Sequence, residues 1–322
     1  MTAPVAITGG AAVAPGGEPL ATGALSAEVR ERVGRVERIS GLTLAAGLHA
    51  LADAGVATAG CRERAGVVLG TAFGCFLTNA EYQERFASGG VAAASPRLFA
   101  ATVSNAAAGE LGIALGLAGP GITLTAGGAS GTLALGHGAA LAAAGDADLL
   151  LAGGVDAVGP ALRSFVGAGG LALGAAIDEA AALVVLEPLA AARARGARVR
   201  GVVTGHGAGF EPDPVAADAG GSLAHAIGMA LASADCEEAV VAAAASPAVR
   251  VLVERAVASV SGRRALRRLA FEGPAGHSLG AAGPRTMLRM LESEPSGTTV
   301  LIVDACASGH VAALAVRVGE PT

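Results

Sequence analysis

Few side chains in this sequence could serve as nucleophile or base. There are four cysteines, Cys61, Cys75, Cys236 and Cys306, and six histidines, and every one of the 22 basic residues counted as lysine or arginine is an arginine. The absence of lysine removes one whole catalytic side chain. The cysteines are widely scattered and none has the close spacing of a zinc ligand set, so no metal site is expected, and the pattern suits a reducing compartment better than a disulfide framework. Two segments concentrate the remaining chemistry. His277 stands in GHSLGAAG (276–283), and Cys306 in Asp304-Ala305-Cys306-Ala307-Ser308-Gly309-His310. A histidine isolated among small residues is expected to be packed and hydrogen-bonded in the core rather than to act as a catalyst.

The elements that must position these groups follow from composition and pattern. Hydrophobic residues make up 52% of the 322-residue chain but aromatics only 2%, alongside 49 glycines, so a large core must be built of Ala, Val, Leu and Ile with closely approaching backbones. The charged fraction is 15% with a net charge of -5 and no basic cluster, which argues against nucleic acid as a partner. No charged segment followed by an apolar run opens the chain, and its apolar stretches are broken before membrane length, so a cytoplasmic protein is expected. Short apolar runs bounded by glycine predict buried strands over 5–8, 66–70, 122–126, 148–152 and 182–186, then over 199–204, 239–244, 266–271, 299–303 and 311–318. Helical spacing predicts helices over 39–54, 106–117, 131–144 and 216–234. The reading is α/β: two similar five-stranded halves, 1–188 and 189–322, in one compact domain. The arginine-rich stretch over 188–200 is expected to be a solvated helix face at their boundary.

Several segments resemble β-ketoacyl synthases, which have the thiolase fold. VAITGGAAVAPGG, RVERISGLTLAAGLHALADAG and AGVVLGTAFG follow the opening of that family in order. The run FAATVSNAAAGELGIALGLAGPGITLTAGGASGTLALGHGAALAAAGDADLLLAGGVDA is similar to its most recognisable stretch, and EAAALVVLEPLAAARARGA and GHSLGAAG extend the resemblance over nearly the whole chain. It implies duplicated five-stranded halves in a layered αβαβα arrangement.

The same resemblance implies that the catalytic positions are degenerate. The family's nucleophilic cysteine, in Thr-Ala-Cys-Ala-Ser-Gly, corresponds to Gly128 when Ala129, Ser130 and Gly131 are matched, and glycine cannot carry an acyl group. Its first histidine falls on Ala242 when Pro247 keeps the register, and its lysine falls on Glu272. Of the four groups only His277 is kept. The C-terminal glycine-rich loop keeps little of the family pattern, and a long lid between 154 and 187 is missing. Cys306 mimics the nucleophile motif from the second half of the chain; thiolases use a cysteine near that loop, so Cys306 is held as a secondary reactive thiol.

What the resemblance implies is therefore a non-catalytic chain-length factor, the ketosynthase β subunit of type II polyketide systems. Its partners would be an active ketosynthase α subunit in a heterodimer, the acyl carrier protein through that complex, and the growing acyl chain in an interface tunnel. Phe99, Thr102, Val103, Asn105, Ala106, Gly109, Ile122 and Leu124 are the expected tunnel or interface residues. Glycine rather than glutamine at 128, with the short lid, points to the divergent subunits of highly reducing, polyene-forming systems. No cofactor is implied. The alternatives are a stand-alone acyl-thioester enzyme using Cys306 and His277, or a homodimeric scaffold.

Overall fold

The computed structural model describes residues 3–14, 36–57, 62–170, 176–216, 218–232, 234, 236–261, 265–271 and 276–320. Ten strands form where the glycine-bounded apolar runs lie: β1 (Val5–Val13), β2 (Ala65–Gly70), β3 (Gly121–Leu124), β4 (Leu149–Asp156), β5 (Ala180–Pro188), β6 (Gly201–Phe210), β7 (Glu238–Ala243), β8 (Ala265–Phe271), β9 (Thr299–Ala305) and β10 (His310–Val318). Seven helices of ten residues or more are present among the described residues: α1 (Arg38–Asp53), α2 (Phe76–Gly89), α3 (Ala106–Leu115), α4 (Ser130–Ala144), α5 (Gly221–Ala232), α6 (Arg250–Ser261) and α7 (Ala282–Ser293).

The strands run β3-β2-β4-β5-β1-β6-β10-β9-β7-β8. The order of the first five is repeated, mirrored, by the last five, and so is the pairing. β2 lies parallel to β3 and β4, and β7 lies parallel to β8 and β9, whereas β5 and β10 run antiparallel to their neighbours. The two sets of five are not separate sheets. They join into one ladder through Val5↔Val203, Ala6↔Val202 and Ile7↔Gly201.

Three apolar clusters divide the molecule into layers. On one outer face, α1 and α3 pack through Leu44, Leu51 and Leu111 onto Leu69, Leu151 and Leu183. On the other, α5 and α6 pack through Leu223, Ile227, Leu252 and Val253 onto Val241, Leu301 and Val303. Between the two halves lie α4 and α7, with Leu135, Met287 and Leu288 against Leu150, Val184, Val240, Ile302 and Leu314. Alternate residues of one strand thus feed different layers, which is why each strand reads as a continuous apolar run rather than an alternating one. The resulting order of layers is αβαβα.

Local chemistry moves some boundaries. The helix expected over 216–234 is confined to α5, because the Glu211 carboxylate accepts the backbone N–H groups of Gly220 (3.0 Å) and Ser222 (3.2 Å) and so holds the chain open before the first turn. The arginine-rich boundary opens, as expected, with a short surface helix, Leu189–Ala194, on which Arg193 is exposed, and Arg195 and Arg200, which follow it, are paired. Arg195 makes a two-pronged contact to Glu187 at 2.9 and 2.6 Å, and Arg200 bridges Asp53 (2.7 Å) and Glu292 (3.1 Å), tying the first half to α7.

The middle layer is closed by backbone contact. A Cβ on Gly131, in the first turn of α4, would overlap the carbonyl oxygen of Gly280 and stand 2.8 Å from Pro284 Cδ. Asp156, fully buried at the end of β4, gathers the surrounding loops: its carboxylate accepts from Thr71 Oγ1 (2.9 Å) and from the N–H groups of Ala72 (3.0 Å), Phe73 (2.9 Å) and Gly280 (2.8 Å). Burial pushes the Asp156 carboxyl up to about 6, against the lowering effect of these four donors.

Two outcomes are expected. Gly131→Ala should cost at least about 2 kcal/mol in urea unfolding, since the clash is with backbone that cannot rotate away. The folded Asp156 carboxyl binds its proton near pH 6 and the unfolded one near 3.8, so the folded state holds more protons in between and stability falls as pH rises through that window. The difference in unfolding free energy between wild type and Asp156→Asn should therefore change by about 2–3 kcal/mol between pH 4 and 7; a difference independent of pH would refute this assignment.

Candidate functional site

The end of β3, the start of α4, the turn between β9 and β10 and the loop 276–281 converge on one point. The chain leaves β3 through Thr125 and Ala126, then turns through Gly127 in the left-handed region (φ 56°) into α4. Ser130 Oγ fixes the turn, accepting the Ala126 N–H at 2.7 Å and lying 2.9 Å from the Thr71 carbonyl oxygen. No side chain projects from positions 127 and 128. A Cβ on Gly127 would stand 2.7 Å from Ser308 Oγ and 2.9 Å from Cys306 Sγ; one on Gly128 would stand 3.3 Å from His277 Cε1 and 3.5 Å from Cys306 Cβ. Three of the residues singled out in the sequence, Gly128, His277 and Cys306, are thus neighbours.

His277 is buried and both its ring nitrogens face backbone. Leu279 N–H donates to Nδ1 at 3.0 Å, which makes Nδ1 the acceptor and leaves the proton on Nε2, 2.9 Å from the Ala244 carbonyl oxygen. Leu279 is the one non-glycine residue with a left-handed φ (51°) among the described residues, and that conformation turns its N–H back onto the ring. With its nitrogens so engaged, His277 does not serve Cys306, and a Cys306–His277 couple is not formed. The Cys306 thiol instead meets Ser308 Oγ at 3.0 Å, and Ser308 Oγ meets His310 Nδ1 at 3.3 Å. Ser308 and His310 stand two and four residues after Cys306, and nothing in their spacing signals this alignment before the turn is folded. Gly309 (φ 93°) makes the turn that folds His310 back, with Cys306 N–H on the His310 carbonyl at 3.1 Å.

Other positions fall elsewhere. Ala242 does not face the site: it lies within β7 with its side chain in the middle-layer core, and the residue of that segment that reaches His277 is Ala244, two positions on. In a run of alanines nothing distinguishes one face of the strand from the other until the register is seen. Glu272 lies outside the described residues. Cys75 is buried against the Val103 carbonyl (3.1 Å), and desolvation, then the nearby Glu37 charge, push its thiol up to about 11. Among the described residues no group of three His, Cys, Asp or Glu side chains could hold a metal, and no helix is long and apolar enough to cross a membrane.

Of the expected tunnel residues, Asn105, Ala106 and Gly109 line a cleft of about 400 Å³ together with Glu37, Arg97 and Ile113, whereas Phe99, Thr102 and Val103 are not part of its lining. Phe99, Val103 and Ile113 are 62%, 51% and 68% exposed, an unusual accumulation for large apolar side chains. Phe99 leans on Tyr82 of α2, with ring centroids 5.7 Å apart, and Thr102 and Ala106 are half-buried. Ile122 and Leu124 are different: their side chains pack inward on the middle layer. What β3 presents outward is its backbone edge, because it is the terminal strand with β2 as its neighbour.

The comparisons with known proteins agree with this architecture. Residues 24–210, more than half of the chain, match the β-ketoacyl synthase, N-terminal domain family. None of the curated protein sequences matches. Among solved structures the chain is similar to the ishigamide ketosynthase/chain length factor (TM-score 0.84, 21% identity, 99% of this chain and 100% of that one). It is also similar to a type II polyketide synthase complex of an acyl-carrier protein with its ketosynthase bound to the hexaketide (0.83, 20%, 99% and 100%). A third is a β-ketoacyl synthase from Burkholderia phymatum STM815 (0.83, 21%, 99% and 100%). At such identities the structures speak for the fold, which is thiolase-like, and the sequence match speaks for the family. This chain belongs to the β-ketoacyl synthase family.

Proposed function

We propose that this chain is a non-catalytic ketosynthase-like subunit, a chain-length factor that pairs with an active ketosynthase and shapes the tunnel in which the acyl chain grows. The observation that carries this reading is the open edge of β3. The strand leads directly into a turn with no side chain at Gly127 or Gly128, the helix α3 that packs on β3 carries the exposed Ile113, and Phe99 and Val103 are exposed in the segment that leads into α3. An unpaired strand edge next to exposed apolar surface is what a partner covers.

The site supports loss of condensation. Gly128 would stand at the nucleophile position and offers no thiol, Ala244 and its neighbours offer no imidazole, and His277 is tied to backbone at both nitrogens. Glu272 would replace the family's lysine. In this reading residues 1–188 and 189–322 are two halves of one compact domain, acting in the cytoplasm. The ketosynthase/chain length factor of the ishigamide pathway provides the parallel for such a pair. The small residues around the cleft, Ala100, Ala101 and Ala106, would leave room for an extended chain such as a polyene, delivered by an acyl carrier protein to the partner.

Co-expression with the active ketosynthase that this reading requires should yield a 1:1 complex by light scattering, with condensation that depends on the partner's cysteine. A stable homodimer that ignores the ketosynthase would overturn the reading in favour of a scaffold. In the complex, Ala106→Phe should shorten the product by roughly one or two two-carbon units, since the ring fills the cleft; unchanged product length would remove the cleft from the tunnel.

A further inference from the structure

At the end of the sheet away from Gly128, the first residues of β7 and β9, the last of β10 and the turn that joins α7 to β9 enclose a cleft of about 480 Å³. Its oxygen- and nitrogen-bearing side chains are Glu238, Arg267, Ser296, Thr298, Thr299 and Arg317. From Thr299 at this cleft, β9 runs seven residues to Ala305, next to Cys306. That length is about 20 Å, which separates the cleft from the β3–α4 turn. Arg317 stands directly opposite Thr299 across the β9–β10 ladder. The earlier residues on the same face of β10, Ala313 and Ala315, are covered by the layer of α5 and α6; two residues on, at Arg317, that face opens to the cleft.

Arg317 Nε is buried and meets no acceptor among the described residues. A guanidinium N–H taken out of water without an acceptor bears its full desolvation cost, which an anion removes by bringing the acceptor with it. Nε is also one of the two donors with which an arginine grips an oxyanion in a bidentate contact. The one carboxylate of the cleft is engaged elsewhere: Glu238 meets Arg267 Nη2 at 3.0 Å, so that Arg317 is the uncompensated cation. The hydroxyls of Ser296, Thr298 and Thr299 add donors from the turn, and a tetrahedral oxyanion can accept from several directions at once where a flat carboxylate cannot. We propose that this cleft binds a phosphate group, free or carried on a small molecule, with Arg317 and Thr299 as its seat, the 296–298 turn around it and Arg267 at the rim. The cleft is larger than a phosphate ion and leaves room for an organic portion. Binding here requires no ketosynthase partner and does not rest on the chain-length-factor reading.

The test titrates the full chain alone with inorganic phosphate at constant ionic strength, followed by calorimetry. One saturable site with a Kd of about 1 mM or tighter is expected, with sulfate competing and chloride not. Arg317→Gln should weaken binding at least about tenfold, since it removes both the charge and the paired donors. Thr299→Val, which keeps the shape of a nearly buried side chain, should weaken it by about threefold, the loss of one hydrogen bond. Each variant is checked for an unchanged melting temperature without phosphate. A second arm compares adenosine 5′-phosphate with adenosine. Tighter binding of the ester than of inorganic phosphate makes an organic phosphate the occupant, and no gain makes it the free ion; either sustains the site. No saturable binding to the folded wild-type chain, equal binding by folded Arg317→Gln, or adenosine binding as well as its phosphate would overturn the proposal. Each of these results leaves the 1:1 complex with a ketosynthase untouched, so the two readings are decided separately.

Discussion

The middle layer of this molecule is closed by backbone meeting backbone. Where α4 begins, Gly131 lies against the carbonyl oxygen of Gly280 and the ring of Pro284, with no side chain between them. That contact sets how closely α4 and the start of α7 approach within the layer, where Leu135, Met287 and Leu288 pack between the two five-stranded sets. It also explains a composition with 49 glycines and few aromatics: layers this close leave space for Ala, Val and Leu but seldom for a large ring.

Asp156 reinforces the same junction electrostatically. Its carboxylate holds Thr71, Ala72 and Phe73 from one half and Gly280 from the other, so the loop that carries His277 is fixed to the end of β4. The left-handed Leu279 then returns its N–H to His277 Nδ1, and Nε2 is left facing the Ala244 carbonyl. A chain of backbone constraints thus decides the tautomer of one imidazole. These contacts bring the 276–281 loop against the β3–α4 turn, where position 128 carries no side chain.

The thiol arrangement shows how a two-fold repeated fold can bring unlike residues to one place. The β3–α4 turn and the β9–β10 turn come from different halves and meet across the middle layer. Glycine on one side makes room for cysteine on the other. Neither turn alone has this property, because the clearance at Gly127 is useful only with Cys306 and Ser308 opposite.

Much of the architecture was legible in the sequence. All ten strands overlap the apolar runs that predicted them, because a strand buried on both faces leaves a run of Val, Leu and Ala, but β3, at the edge of the sheet, has no fully buried residue. The repeated α/β order and the family followed from the same residues. What the sequence could not carry was direction. In Val240–Ala245 every residue is small and apolar, so only the tertiary structure places Ala242 in the core and brings Ala244 to His277. Likewise the sequence offers His277 as the histidine to accompany Cys306, whereas the structure connects His310 to it through Ser308. The choice of His310 arises from a turn at Gly309 and from backbone groups that had already engaged the other ring, and such competition for hydrogen bonds exists only once distant segments have met.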